Sequence, residues 1–331
     1  MAELQKQLDS LGTIAVIGGA GFIGSHICDA VMQNSASRLV IVDDFSSGSS
    51  ANISRLQNQG RISTFKIDAR DLTLLVDSLV GVNTVIHLAS NPDIAKAAND
   101  PLIDFQLGTL LTQNSLEAAR LNNVKTFIYA SGSGIYGNVP DSPVKEEFEP
   151  KHPVSCYGAS KLAGEAMISA YSHMFGIRGL CFRFANVVGS RQTHGVGFDF
   201  IRKLLFDPGR LEILGNGSQT KNYVWVGDVI DAIFLVATSQ QTLFDVFNVS
   251  SNGQTSVKEI AALALETMNL SVTTTELVFG DNDRGWRGDV PNIAIDSSKL
   301  RNLGWMPSLD STSALRSAIE IMYAELLRNP D

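Results

Sequence analysis

An apolar strand that breaks into glycine and passes directly into a helix constrains this chain more than any other feature. Thr13 to Gly18 (TIAVIG) is a continuous apolar run, and Phe22 to Met32 repeats its apolar residues at helical spacing. Between them, GGAGFIG sets Gly18, Gly21 and Gly24 in a GxxGxxG pattern. Glycines at such a junction allow a tight turn and let the backbone close on a pyrophosphate at the helix N-terminus. The spacing alone is weak, because glycines also end strands for structural reasons. Its place between a strand and a helix makes it specific.

The order of elements agrees. Apolar runs at Arg38 to Val42, Ser63 to Ile67, Val82 to Leu88 and Lys125 to Ala130 read as strands, with a helical stretch around Asp104 to Arg120 between the last two. Strands apolar on both faces, alternating with helices, predict a parallel sheet covered on two sides. Gly179 to Phe184 reads as a further strand. After Asn186, turn-forming residues surround one helix-like piece, Phe198 to Phe206, and mark a second lobe. Val229 to Thr238 is helical and Val246 to Val249 strand-like, so the chain returns to the sheet before Ser256 to Met268 opens the last part. The expected fold is α/β: a doubly wound Rossmann parallel sheet with a smaller mixed C-terminal lobe. Residues 1–185 with about 222–252 would form the dinucleotide-binding domain, and about 186–221 with 253–331 the substrate lobe.

Twenty-six basic and thirty-four acidic residues give a formal charge of -8 without charged blocks, which argues against nucleic acid as a ligand. An anionic substrate must then be met by individually placed basic groups and helix N-termini. Cys28, Cys156 and Cys181 lie far apart in apolar stretches, with neither a disulfide framework nor a zinc spacing, and fit a reducing cytoplasm. Met1 to Leu11 is polar and does not read as a secretory signal, and no stretch approaches the roughly 18 apolar residues of a membrane span, so a soluble protein is expected. His26, His87, His152, His173 and His194 show no paired spacing, and no metal is expected. His87 reads as structural, and His194, in a Gly-rich loop, as solvated rather than as a substrate contact.

Asp43 closes the second strand about 20 residues beyond the glycine turn, where the ribose hydroxyls of a dinucleotide fall. Asp43 and Asp44 would repel a 2′-phosphate and no Arg follows them, which favours NAD over NADP. The cofactor is expected against Gly18, Gly21, Phe22, Ile23 and Gly24 in the first turn. After the second strand, Asp43, Asp44, Ser46, Ser47 and Gly48 continue its site. Asp68 and Ala69, after the third strand, are placed for the adenine side, although an Asp there is often a helix cap.

In YGASK, Tyr157 and Lys161 stand four apart on a helix opening near Ser155, so both project from one face. Such a pair is usually a solvated helix face, but after a dinucleotide turn it has a chemical purpose. A phenol of ordinary pKa near ~10 becomes a usable base when an ammonium stabilises its phenolate. Helped by the positive nicotinamide, Tyr157 would take a proton from a substrate hydroxyl while the carbon beneath it gives hydride to NAD.

GGAGFIG, the strand end VDD, VIHLAS, YASGSGIYG, YGASK and FRFANVVG occur in the order seen in extended short-chain dehydrogenases. Over nearly its whole length the chain resembles that family's sugar-nucleotide epimerases and dehydratases, UDP-hexose 4-epimerases foremost. ILGNGSQTKNYVWVGDV and GWRGDVPNIAIDSSKLRNLGW look like the family's substrate lobe. The resemblance implies Leu88, Ala89 and Ser90 along the cofactor wall, Phe184 beside the nicotinamide, and Asn186 at the substrate phosphates. Lys221 stands where relatives commonly carry an Arg on the diphosphate; it keeps the charge and loses the fork, so Arg284 and Arg287 would carry more of the grip unless they are plain surface charges. A homodimer through the helices 104–120 and 155–175 is also implied, with Ala159, Ala163 and Gly164 permitting close packing.

The chain departs from the family at Gly132, where a Ser or Thr four residues before the tyrosine of the Tyr136-Gly137 dipeptide normally bridges substrate and catalytic tyrosine. Ser131 and Ser133 flank the gap. Ser133 or an ordered water is expected to supply the hydrogen bond, the glycines at 132 and 134 letting the loop approach; alternatively both serines merely satisfy loop backbone. Ile293 stands where some 4-epimerases gate the sugar C2 substituent with a bulky Tyr, which leaves room for an enlarged sugar. The resulting expectation is NAD-dependent epimerisation at C4 of a nucleotide-linked hexose, UDP-linked by the resemblance, through a 4-keto intermediate. A related dehydratase, dehydrogenase, decarboxylase or reductase is the first alternative, although Ser133 and Gly134 occupy the positions where dehydration wants an Asp and a Glu. An NAD-binding sensor without turnover is the second.

Overall fold

The strands of the main sheet are β1 (Ile14–Ile17), β2 (Leu39–Asp43), β3 (Ile62–Lys66), β4 (Thr84–His87), β5 (Thr126–Gly132), β6 (Arg178–Phe184) and β7 (Phe244–Val249). In this computed structural model, which describes residues 2–56, 59–139, 142–149 and 151–328, they run parallel in the order β7-β6-β5-β4-β1-β2-β3. β1 lies between β2 and β4, with Ile14 level with both Leu39 and Thr84. Strand order reverses there, and sheets of this kind bind their ligands beyond the carboxyl ends of the strands at such a point.

β1, β2 and β4 are buried along their whole length because helices cover both faces. β3 departs from the expected strand apolar on both faces. It is the free edge, its residues are half-buried or exposed, and Ser63, Thr64 and Lys66 suit an edge left to water.

Helix Phe22–Asn34 follows the glycine turn directly, and helix Cys156–Phe175 lies against β5 and β6. The second begins at Ser155, whose Oγ accepts from the Gly158 amide at 3.1 Å, and stops at Gly176, where φ is 71°. Midway, Gly164 faces Tyr129 so closely that a Cβ would collide with the phenol oxygen. Gly164 therefore seats the helix on the sheet and is not left for a subunit contact, as the sequence had suggested. The helix expected around Asp104 to Arg120 is composite: a turn Leu102–Asp104, a π-helical stretch Phe105–Leu110 and an α-helix Leu111–Leu121.

Beyond β6 the chain pairs Asn186–Val188 with Tyr223–Trp225, and Arg210–Ile213 with Glu276–Phe279. Thr220–Lys221 lies between Thr255–Ser256 and Asn292–Ile293. Helices Val196–Phe206, Val257–Thr267 and Ser311–Arg328 bury Phe200, Ile260 and Ile319 in a separate core. The last of these was not anticipated from the sequence. Among the described residues no helix is long and apolar enough to cross a membrane. Cys28 and Cys181 are buried and unpaired, whereas Cys156, the first residue of its helix, is exposed rather than set in apolar surroundings.

Inside the sheet, Arg183 on β6 is 3% exposed. Its Nε and Nη2 donate to Glu165 at 2.9 and 2.7 Å, and its Nη1 donates to the Tyr136 hydroxyl and the Glu146 carbonyl, both at 2.8 Å. Removing the carboxylate would strand a buried guanidinium, so Glu165→Ala is expected to cost about 3 to 5 kcal/mol of stability. A urea midpoint that hardly moves would show that this pair does not hold the helix to the sheet.

Candidate active site

The glycine turn follows the carboxyl end of β1. Gly18 has φ 84°, and a Cβ there would lie 2.7 Å from the Ala89 amide nitrogen; a Cβ on Gly24 would collide with the Gly18 carbonyl oxygen. Both positions exclude a side chain. The helix that follows starts from Gly21, which offers no side-chain cap, so its first amides, those of Phe22 and Ile23 among them, stay available to a phosphate.

Asp43 is 8% exposed; its Oδ2 accepts from Ala20 N at 2.8 Å and its Oδ1 from Phe45 N at 2.9 Å. Burial pushes its pKa up while the backbone donors oppose that. Gly48 packs on it, a Cβ there falling 2.8 Å from Asp43 Oδ1. Asp44 accepts from the amide and the hydroxyl of Ser46 at 2.8 and 2.7 Å, and Ser47 is exposed. Asp68, expected at the adenine, instead pairs with Arg70 at 2.6 Å, with Ala69 buried between them. Arg70 escaped the sequence reading because it follows the third strand, yet Asp44 adds to its charge stabilisation, so a cation does stand near the ribose end. Asp68 already engages it.

Leu88 and Ala89 both donate their amides to the Ile17 carbonyl, at 2.9 and 3.0 Å, which brings the chain past β4 against the glycine turn. Ser90 follows with a buried hydroxyl that has no hydrogen-bond partner of good geometry and that acts on the Tyr157 phenol. Lys161, 3% exposed, donates from Nζ to the Ala130 carbonyl at 2.8 Å and lies 5.4 Å from the Tyr157 ring centre. Burial pushes its ammonium down to about 8, against the charge of Asp104. Burial likewise pushes the Tyr157 phenol up to about 12, opposed by Ser90 and reinforced by Asp104. The side chains come together as expected, but the expected acidity of the phenol is not produced by Lys161 alone. The ammonium is engaged by a carbonyl, and desolvation dominates.

The Ser133–Tyr136 turn rides on the helix Cys156–Phe175, because a Cβ on Gly158 would collide with the Gly134 carbonyl oxygen. Ser133, Asn186, Lys221 and Ile293 line one small crevice. Gly132, level with Phe184 in the sheet, is extended, and a Cβ there would meet nothing nearer than the Phe184 carbonyl oxygen at 4.0 Å. Ser131 does not join this group: it is still within the strand, 3% exposed, and its hydroxyl donates to Glu165 at 2.6 Å, whereas Ser133 lies in the turn that follows. Lys221 donates to Asp289 at 2.5 Å. Arg284 donates to the Asp289 carbonyl and, at 3.1 Å, to Asn138 Oδ1, while Arg287 is exposed with no ion pair among the described residues. The expected phosphate-binding groups thus gather around one loop, and Asp289 holds Lys221 within it.

The NAD dependent epimerase/dehydratase family matches residues 14–250. A UDP-glucose 4-epimerase of Mycolicibacterium smegmatis is 31% identical over 92% of this chain and 96% of its own. The fold is similar to that of a UDP-galactose 4-epimerase, with a TM-score of 0.85 and 34% identity over 95% of this chain and 99% of that one. It is also similar to the UDP-glucose 4-epimerase of Thermus thermophilus in complex with NAD, with a TM-score of 0.82 and 27% identity over 94% and 98% of the two chains.

Asp43→Ala removes the acceptor for the Ala20 amide of the glycine turn and for the Phe45 amide, and is expected to weaken NAD binding about tenfold or more, measured by calorimetry. Unchanged affinity would remove Asp43 from the site. A family match across most of the chain, and a fold shared nearly end to end with an NAD-bound relative, make this protein a member of the NAD dependent epimerase/dehydratase family, an NAD-dependent enzyme of sugar nucleotides.

Proposed function

We propose that the protein interconverts C4 epimers of a UDP-linked hexose. The observation that carries this reading is the adjacency of two features. The turn bearing Ser133 rides on the helix of Tyr157 and Lys161, and the same Ser133 borders the crevice of Asn186, Lys221 and Ile293. An acid-base device at the cofactor thereby meets a place for a sugar diphosphate. Ser133 and Gly134 stand where a dehydratase would want an Asp and a Glu, which favours epimerisation over loss of water.

Tyr157 takes the proton of the C4 hydroxyl as that carbon is oxidised, and returns a proton to the oxygen when the carbon is reduced on its other face, so no net oxidation occurs. Bound NAD supplies the hydride acceptor and donor, and the positive charge of its oxidised ring works with Lys161 to make the phenol a usable base. Ser133 hydrogen-bonds the reacting oxygen and keeps it aligned with Tyr157. Between the two half-reactions the 4-keto sugar turns while Asn186, Lys221, Arg284 and Arg287 retain the diphosphate. For Lys221 this means exchanging a carboxylate partner for a phosphate.

Residues about 186–221 and 253–331 serve the sugar nucleotide in this reading, and the enzyme works in the cytoplasm, where its unpaired cysteines stay reduced. It does so as a homodimer through helices Leu111–Leu121 and Cys156–Phe175, whose exposed Leu121, Met174 and Phe175 favour a covered face.

Chromatography of products from UDP-hexose, UDP-uronate and UDP-N-acetylhexosamine, each incubated with protein and NAD, tests the reaction class. Interconversion within none of these pairs would sink it. Tyr157→Phe is expected to lower kcat at least about a hundredfold with NAD retained. Ser133→Ala should lower turnover, and Gly132→Ser in the same chain should recover part of it, because the space beside Gly132 accepts a hydroxymethyl group. A Ser133→Ala enzyme of unchanged rate would leave Ser133 as a backbone-satisfying loop residue.

A further inference from the structure

A buried carboxylate beside the catalytic pair has no part in the mechanism above. Asp104 is 1% exposed; one of its oxygens accepts from Asn91 Nδ2 at 2.9 Å, and the other is buried without a partner. An unpartnered buried carboxylate oxygen is costly, and its retention calls for an explanation in function. Asn91, 3% exposed, is itself fixed, donating to the Asp93 carbonyl at 2.9 Å and accepting from the Asp93 amide at 3.0 Å.

The local fold brings this carboxylate to the pair. Asp104 heads the π-helical stretch Phe105–Leu110, and within that stretch a Cβ on Gly108 would lie 2.5 Å from Ser160 Oγ. The absent side chain lets the stretch dock on the catalytic helix at the turn between Tyr157 and Lys161. π-Helical turns of this kind recur at functional sites.

The other groups around Lys161 are neutral or neutralised. His87, from β4, is pushed down to about 3 by burial and by the Lys161 charge, and Tyr129, from β5, is pushed well up by burial. Ser90 and Asn91, from the loop after β4, carry no charge. Glu165, one turn further along the helix, is paired with Arg183. Asp104 is left as the unneutralised negative charge at this place among the described residues.

We propose that Asp104 is a positioning residue for the catalytic pair, its carboxylate serving as the counter-charge that holds Lys161 as an ammonium beneath Tyr157. The proposal rests on the assignment of Tyr157 and Lys161 as that pair. Burial holds the Asp104 carboxyl above its ordinary value, with Asn91 and Lys161 opposing. Its charge in turn raises both Tyr157 and Lys161. Deleting the charge at constant shape therefore makes the phenol easier to ionise and the ammonium easier to lose. Both limbs of the pH profile move toward lower pH.

The test uses the full chain with bound NAD, as wild type, Asp104→Asn, Asp104→Glu and Tyr157→Phe. kcat and KM are followed across pH with UDP-glucose and UDP-galactose, and the Tyr157 phenolate is titrated by its ultraviolet absorbance as the difference from Tyr157→Phe. Asp104→Asn is expected to shift both limbs and the phenolate titration down by about one pH unit, with KM changed less than about twofold, and Asp104→Glu to restore them. A lower kcat at every pH with unmoved limbs, or an unmoved phenolate titration where neither sugar nucleotide turns over, overturns the proposal. Turnover surviving Tyr157→Phe instead overturns the assignment of the pair. A dead Tyr157→Phe with an unshifted Asp104→Asn rejects the role of Asp104 alone.

Discussion

The hydrogen bond from Lys161 to the carbonyl of Ala130 fixes the helix of Tyr157 and Lys161 to the sheet. A lysine on a helix can reach the end of a strand at 2.8 Å only if the helix lies very close, and three missing side chains make that possible. Gly164 accommodates Tyr129, Gly158 accommodates the turn at Gly134, and Gly108 accommodates Ser160. Glu165 then fastens the same helix to Arg183 on β6 and Ser131 on β5 through charge-assisted bonds. With the helix so held, the Tyr157 ring and the Lys161 ammonium have one relative position, and each is tuned chiefly by its removal from water.

That removal sets the electrostatic character of the site. Desolvation moves the phenol and the ammonium away from useful ionisation in the same way, by penalising whichever form carries charge. Asp104 offsets this for the ammonium and adds to it for the phenol, which Ser90 opposes. On the substrate side, in the proposed reading, a chain of net charge -8 would bind an anion by pairing its basic groups with acids that a phosphate can replace, as Asp289 pairs with Lys221. The site thereby avoids unpaired charge before the substrate arrives.

Much of this was legible in the sequence. The glycine turn, the strands feeding the sheet and the four-residue spacing of Tyr157 and Lys161 are local patterns, and local backbone geometry decides them. β3 was misjudged because a sheet edge and a sheet interior differ in their neighbours more than in their composition. Ser131 and Ser133 looked interchangeable across Gly132, yet the strand ends at Gly132 and the turn Ser133–Tyr136 redirects the chain, giving one hydroxyl to a buried ion pair and the other to the crevice. Asp104 read as part of a helical stretch. Its isolation depends on Asn91, thirteen residues earlier, and on a helix more than fifty residues later.

The sequence by itself determined the strands of the main sheet, the glycine turn and the cofactor class, and it carried the four-residue spacing of Tyr157 and Lys161, because each is written in residues close together along the chain. Tertiary structure decided which charges are free and which are engaged: Lys221 held by Asp289, Arg70 held by Asp68, and Lys161 held by a carbonyl rather than by the phenol. The physical reason is that ionisation and hydrogen bonding answer to burial and to partners brought from distant segments. Those are properties of the packed molecule, and periodicity along the chain carries no record of them.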